Sequence, residues 1–240
     1  MSKIRGFSQM SKTPENNSRE TLIEVLEGRS SFYSFLAGFY FKPLTQEQID
    51  EMAAKDFSGF DEVDPLLASG FNDITRFLRK RNTGTRQMLA IDFTSSFGGT
   101  QTYKGRVAVP YASVFLSVEG LLNQEPRNEV FRIFKRNRLR VADEKIPVDH
   151  LSFMFEFLAT MSERAITHIK EGKDSEACLC LTESRGLITD YILTWFSDFA
   201  ELANLLIEAR FYRGVLRVTE GYLLMDLQTI DDLLEELMIP

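Results

Sequence analysis

The segment PVDHLSFMFEFLATMSERAITHIKEG, which spans residues 147–172, decides the fold of this chain. Its apolar residues recur three or four positions apart, as one buried face of an α-helix requires. They are Leu151, Met154, Phe155, Leu158, Met161, Ala165 and Ile169. Proline before the pattern and Gly172 after it are typical of the two ends of a helix. The segment therefore predicts a long buried helix on which other elements pack.

The same helical spacing recurs through most of the chain. It is clear after Asn17, after Thr45, after Pro65 and from Ile188 to Leu206. The chain contains only 14 glycines and 7 prolines, which suits long helices better than a turn-rich β-fold. We therefore expect an all-α fold, a compact single-domain bundle of roughly nine or ten helices. This domain is expected to cover residues 17–240, after a disordered tail at residues 1–16.

Charge and composition exclude several classes of protein. Asp and Glu number 35 against 28 Lys and Arg, which gives a net charge of −7 and disfavours a general nucleic-acid or membrane binder. No apolar run is long enough to cross a membrane, and the N-terminus lacks the apolar core of a secretion signal. Cys178 and Cys180 are too close together for a disulfide between them to cross-link distant parts of a domain, and they lack the spacing of a zinc site. We expect a cytoplasmic protein, a monomer or homodimer, without metal, nucleic-acid partner or stable membrane insertion.

The sequence lacks the common catalytic motifs. The patterns GxxxxGK[ST], HExxH, GxSxG and GxGxxG are absent, and only two histidines occur. This favours binding over catalysis and predicts that the protein is not an enzyme and uses no cofactor. Residues Gly98–Gly105 superficially resemble a phosphate loop, but Lys104 precedes the second glycine, so a plain turn is the simpler interpretation. A GTP-binding switch or hydrolase that uses this loop is the alternative.

Asp149 and His150, at the start of the long helix, are the first candidate site residues. One interpretation is that Asp149 caps the helix and His150 is an exposed neighbour. The other is that both face a groove, where the carboxylate pairs with a guanidinium and a neutral imidazole makes a hydrogen bond. Phe93 and Phe97, four residues apart, are either core side chains or the apolar wall of such a groove.

Two stretches of like charge also stand out. Arg132–Arg140 is strongly basic, whereas Asp226–Leu237 holds five acids and no base. Both are interpreted first as solvated helix faces. The alternative for the basic stretch is RNA or phosphate binding, and the alternative for the acidic stretch is attraction of a basic partner.

Five segments in the same order resemble the TorD/DmsD family, cytoplasmic chaperones that mature molybdenum-containing redox enzymes. They are Arg29–Ala37, Asp92–Phe97, Pro110–Leu116, Glu144–Leu151 and Phe211–Thr219. The fourth, which reads Glu…Pro-x-Asp-His-Leu, is the most specific. The resemblance covers most of the chain and implies an all-α chaperone fold.

The resemblance also implies a function. Family members hold the twin-arginine leader of a partner oxidoreductase and keep the apoenzyme in the cytoplasm while its molybdopterin cofactor is loaded. The implied partners are a molybdoenzyme catalytic subunit and its leader peptide. The implied peptide-binding residues are Phe93, Ser96, Phe97, Pro110, Tyr111, Glu144, Asp149 and His150. Carboxylates beside aromatic side chains match a leader that combines adjacent cations with an apolar stretch.

Overall fold

The computed structural model describes residues 14–60, 62–141, 143 and 145–238. Within this part of the chain the secondary structure is mainly helical, and the β-pairing consists of two isolated bridges, which confirms the all-α prediction. No helix of the described residues has the length and apolarity that a bilayer span requires. The α-helices are α1 Pro14–Phe41, α2 Gln46–Ala54, α3 Pro65–Leu78, α4 Thr85–Ser96, α5 Ala112–Leu116, α6 Glu125–Arg136, α7 Leu151–Lys170, α8 Asp174–Leu187, α9 Leu193–Leu206 and α10 Arg210–Met238.

The starts of α2 and α3 follow local sequence signals. The Thr45 hydroxyl accepts a hydrogen bond from the Gln48 N–H at 3.2 Å, and the Gln48 side chain accepts one from the Thr45 N–H at 2.9 Å. This reciprocal pair is a capping box. Asp64 accepts from the backbone N–H groups of Leu66 and Leu67 at 2.8 and 3.0 Å and so caps α3. Both predicted helix starts are confirmed.

Helix α7 forms the centre of the bundle. It packs along α1 and α8, and every residue of its predicted apolar face is buried. Helices α3 and α10 form the second long contact, where two glycines meet. A Cβ atom on Gly214 would lie 2.6 Å from the Gly70 carbonyl oxygen, and one on Gly70 would lie 2.7 Å from the Gly214 carbonyl oxygen. Glycine at both positions therefore permits this close approach of the two backbones.

The C-terminal helix α10 is continuous over 29 residues, where two sets of apolar residues, Tyr212–Leu223 and Ile230–Leu237, predict two helices. Asp226 lies between these two sets. This carboxylate is buried, and it accepts hydrogen bonds from Arg29 Nε at 2.8 and 3.0 Å and from the Tyr33 hydroxyl at 2.5 Å. A paired acid thus occupies a core position, and the helix continues through it. The sequence interpretation of Asp226–Leu237 as a solvated face is therefore wrong for Asp226, which is buried.

Helices α8 and α9 are joined, although the sequence predicts an end of α8 near Glu183. A π-helical turn at Ile188–Ile192 links them. The extra residue of a π-turn shifts the helical phase, so the apolar pattern loses its register there. Helix α1 begins at Pro14, three residues before the predicted start at Asn17. The predicted tail falls mostly on residues 1–13, which lie outside the described residues.

Candidate functional site

Two predicted site segments, residues 110–113 and 149–151, are bound to each other in a junction that we call the latch. The Leu151 N–H donates to the Pro110 carbonyl oxygen at 2.9 Å. Tyr111 and His150 form an isolated antiparallel bridge, and their ring centroids lie 4.7 Å apart in an edge-to-face contact. The latch therefore brings together four of the predicted peptide-binding residues, namely Pro110, Tyr111, Asp149 and His150.

Asp149 is fully buried inside the latch. Its Oδ2 accepts a hydrogen bond from the Ser113 N–H at 2.8 Å, and its carbonyl oxygen accepts one from the Ala112 N–H at 3.1 Å. Its Oδ1 has no hydrogen-bond partner among the described residues. The two interpretations of the sequence expected Asp149 either to cap α7 or to face an open groove. Neither is the case. Asp149 fastens the start of α5 and keeps one acceptor unpaired.

His150, rather than Asp149, caps α7. Its Nδ1 accepts a hydrogen bond from the Ser152 N–H at 3.1 Å, and only 6% of the residue is exposed. Burial lowers the pKa of His150 to about 4, so the imidazole is neutral at pH 7. Because Nδ1 accepts, the single ring proton is assigned to Nε2, which faces away from the cap as a donor. The expectation of an exposed histidine is wrong, whereas the expectation of a neutral imidazole agrees with this burial.

Three aromatic side chains surround His150 near the surface, and we call them the aromatic rim. The ring centroids of Phe41 and Phe153 lie 6.1 and 5.9 Å from that of His150, and Tyr111 completes the group. Phe41 is 41% exposed and Tyr111 is half-buried. Burial and the charge of the Asp149 carboxylate raise the pKa of Tyr111. Sequence reasoning missed Phe41 and Phe153, although Phe153 follows His150 at helical spacing.

Phe93, Ser96 and Phe97 lie on the inner side of α4 and are buried in the core. The Phe97 ring centroid lies 5.4 Å from that of Tyr212 on α10 and 5.7 Å from that of Phe199 on α9. This packing agrees with the interpretation of the two phenylalanines as core side chains. It does not agree with the interpretation of them as the wall of an open groove. Their role in binding a peptide stays a prediction.

Unpaired polar atoms gather around the latch and the inner side of α4. Among the described residues, buried side-chain atoms without a hydrogen-bond partner include Asp149 Oδ1, Ser96 Oγ, Ser113 Oγ, Trp195 Nε1 and the Tyr212 hydroxyl. Folded proteins leave few such groups unpaired, and each costs about 1–3 kcal/mol. This part of the interior therefore holds unused hydrogen-bonding capacity beside aromatic rings.

Glu144, the remaining predicted site residue, lies outside the described residues. Within the described ranges, no three His, Cys, Asp or Glu side chains are grouped so as to hold a metal ion. Among the described residues, the site therefore offers one unpaired carboxylate oxygen, one neutral imidazole and aromatic surface.

The loop Gly98–Gly105, the candidate nucleotide site, is a tight turn after the C-terminal end of α4. Tyr103 and Arg106 exchange backbone hydrogen bonds at 2.9 and 3.0 Å, and Lys104 and Gly105 between them have φ of 50° and 79°. Positive φ at both central residues is typical of a two-residue hairpin turn. Phosphate loops offer N–H groups at a helix N-terminus, whereas N–H groups of this loop donate to α4 carbonyl oxygens. The geometry agrees with the plain-turn interpretation.

Comparison with known proteins assigns the chain to a family. A family model described as "Nitrate reductase delta subunit" matches residues 61–201, more than half of the chain. The chain is 26% identical over 208 residues to "Chaperone protein TorD" of Vibrio vulnificus, an alignment that covers 83% of this chain and 93% of that protein. It is 25% identical over 218 residues to the protein of that name from Vibrio cholerae, with 88% and 95% covered. For the protein of that name from Colwellia psychrerythraea the identity is 27% over 238 residues, with 90% and 97% covered. These relatives are named as chaperones and not as enzymes, and the protein belongs to the TorD family that they and the nitrate reductase delta subunit model represent.

Proposed function

We propose that the protein is a cytoplasmic maturation chaperone for a molybdopterin-containing oxidoreductase. In this proposal it binds the N-terminal twin-arginine leader of the catalytic subunit and holds the apoenzyme until the cofactor is inserted. The chain itself needs no cofactor and catalyses no reaction. Family membership supports the chaperone role, and the latch supports the site.

The observation that carries the site is the unpaired Oδ1 of buried Asp149 next to the aromatic rim. A leader arginine needs a carboxylate acceptor, and the adjacent apolar residues of the leader need a surface to cover. Asp149 offers an acceptor that its own fold leaves unused, and Phe41 and Tyr111 offer exposed aromatic surface within the same junction. The Nε2 proton of His150 is a further donor for a peptide carbonyl oxygen.

Access to Asp149 requires the latch to open. The segment at Tyr111 covers the acid and is fastened by few hydrogen bonds, of which one uses Asp149 Oδ2 itself. Displacement of this segment would free both carboxylate oxygens for a bidentate contact with a guanidinium. We therefore propose that the leader enters by replacing residues 110–113 on the start of α7, and that the described structure is the closed form.

The two parts of the contact have different energetic weights. Burial of about 300 Å² of apolar surface contributes roughly 7 kcal/mol before ordering costs are subtracted. A partly exposed ion pair contributes only about 0–1 kcal/mol. In the proposal the aromatic rim therefore supplies most of the affinity, and Asp149 fixes the register of the leader.

Titration of the protein with synthetic leader peptides tests the proposal. The first leader carries Arg-Arg and the second carries Gln-Gln at the same positions. Asn replaces Asp149 in one variant and exposed Asp143 in the control variant. We expect Asp149→Asn to weaken binding of the Arg-Arg leader about fivefold and to leave binding of the Gln-Gln leader unchanged. Asp143→Asn should alter neither.

The outcomes separate the site from the function. Tight leader binding that Asp149→Asn leaves intact would refute the site assignment and keep the function. Failure of every molybdoenzyme leader to bind would refute the function.

A further inference from the structure

The basic stretch Arg132–Arg140 divides into two sets of side chains. Arg132 donates to Glu125 at 2.9 Å, and Arg136 donates to Glu183 at 2.6 Å, so both cations are neutralised on the surface. Lys135, Arg138 and Arg140 are exposed and have no carboxylate partner within the described part of the chain. Two of the five basic side chains therefore agree with a solvated, paired helix face, and the other three need another explanation.

The unpaired cations border a groove of about 610 Å³ between α6 and the connection that follows it. The apolar side chains that line it include Phe131, Leu139, Val141, Ile146 and Val148, and Phe131 is 47% exposed. No acid is among the described residues that line the groove. Among the described lining residues the charged side chains are all cations, and this cationic rim around an apolar floor differs from an ordinary solvated surface, which mixes charges of both signs.

Two structural features hold cations at the edge of the groove, one at Arg127 and one at Arg138. The Arg127 guanidinium lies over the Phe131 ring at 5.3 Å, a cation–π contact that holds the charge at the apolar floor. Arg138 has φ of 54°, in the left-handed region that glycine usually occupies after a helix. The Leu139 N–H donates to the Phe134 carbonyl oxygen at 2.9 Å, so a backbone hydrogen bond across Arg138 ends the helix. The fold therefore places an arginine where glycine would be less strained, at the edge of the groove.

We propose that this groove is a docking surface for an acidic amphipathic segment of a partner polypeptide. Asp and Glu side chains of that segment meet Lys135, Arg138 and Arg140, and its Leu- or Phe-type side chains cover the floor around Phe131. The surface is distinct from the latch, and its charge repels a twin-arginine leader. It therefore engages a different part of a client or a different partner, and it does not depend on leader recognition.

The floor favours a polypeptide over a nucleic acid as the occupant. RNA would use the cations for phosphate contacts but would leave the aliphatic floor at Leu139, Val141 and Ile146 unmatched. An acidic amphipathic segment satisfies both the rim and the floor.

Fluorescence anisotropy of a labelled model peptide tests this docking surface. The probe is an 18-residue amphipathic peptide of Leu and Glu, with matched peptides that carry Gln or Lys in place of Glu. The groove variant is Lys135→Gln with Arg140→Gln, and the control is Arg132→Gln with Arg136→Gln. Both variants remove two cations from the same stretch. The groove variant removes cations without a carboxylate partner, and the control removes the cations that pair with Glu125 and Glu183. We expect the groove variant to weaken binding of the Glu peptide about tenfold and the control variant less than about twofold.

A second variant separates lost binding from lost folding. Arg138→Gly removes a rim cation and relieves the left-handed backbone, so we expect a higher melting temperature together with weaker binding of the Glu peptide.

Several outcomes would overturn the proposal. They are equal losses in the groove and control variants, equal binding of the Gln peptide, and binding of a 20-nucleotide RNA that the groove variant abolishes. Conversion of a wild-type dimer to a monomer by the groove variant would likewise show that a second copy of the chain fills the groove.

Discussion

The Arg29 guanidinium and the Asp226 carboxylate form a buried ion pair between α1 and α10, with Nε 2.8 Å from Oδ1 and 3.0 Å from Oδ2. Both side chains are 1% exposed. Arg29 also donates from Nη1 to Ser162 Oγ at 2.6 Å, which connects the pair to α7. Burial lowers the pKa of Arg29, but the charge and hydrogen bond of Asp226, together with Tyr33 and Tyr222, outweigh burial, and the net pKa is raised. The pair therefore ties three helices together.

Removal of one partner of this pair should be costly. We expect Arg29→Met to lower the free energy of unfolding by about 3–5 kcal/mol, because the Asp226 carboxylate is left buried without its cation. The double variant Arg29→Met, Asp226→Leu should recover most of that loss, since no buried charge remains. Urea unfolding, monitored by circular dichroism, measures the unfolding free energies of the single and the double variant. A single-variant loss below about 1 kcal/mol would show that the pair is solvated in solution.

The glycine contact between α3 and α10 gives a prediction with an internal control. In Gly214→Ala the new methyl group would meet the Gly70 carbonyl oxygen at 2.6 Å, so the helices must separate. We expect a loss of about 1–3 kcal/mol in the free energy of unfolding. Gly28→Ala places a methyl group in open space on α1 and should stabilise the protein by about 0.5–1 kcal/mol. Stabilisation by both changes would contradict the close helix approach.

The elements that the sequence predicts well are those with local signals. The capping box at Thr45 and the cap at Asp64 involve residues two or three positions apart, so the sequence contains the whole interaction. The buried position of Asp226 depends on Arg29, 197 residues away, and no local pattern reveals it. The same holds for the π-turn at Ile188–Ile192, which changes helical phase without a glycine or proline.

The sequence names candidate site residues, but it does not show which of them the fold brings together or buries. The apolar pattern predicts the start of α7, the resemblance implies a binding role for Asp149 and His150 there, and the structure places Tyr111 beside His150. Burial of Asp149 follows from its bond to Ser113, 36 residues earlier in the chain. A contact between two loops of this kind is set by the packing of the helices that carry them, so only the folded structure shows that Asp149 is buried.

His150 makes the stability of the protein dependent on pH. Its pKa is about 4 when folded and about 6.5 when unfolded, so between these values the unfolded chain binds more protons. The stabilisation from this group is therefore complete above pH 6.5 and is lost as the pH falls toward 4, by about 3 kcal/mol in total. We expect the difference in unfolding free energy between wild type and His150→Asn to change by this amount over that range. A constant difference from pH 7 to pH 4 would show that His150 is solvated.

The central claim, that a leader replaces the Tyr111 segment at the start of α7, is tested most directly by photo-crosslinking. An Arg-Arg leader with a benzophenone side chain next to the arginines is irradiated in complex with the protein, and the attachment sites are mapped by mass spectrometry. We predict crosslinks to residues 110–113 and to Phe153, together with faster amide hydrogen exchange at Ala112 and Ser113 in the complex. Crosslinks that map to the α6 groove or the outer face of α10, with the exchange of Ala112 and Ser113 unchanged, would contradict it.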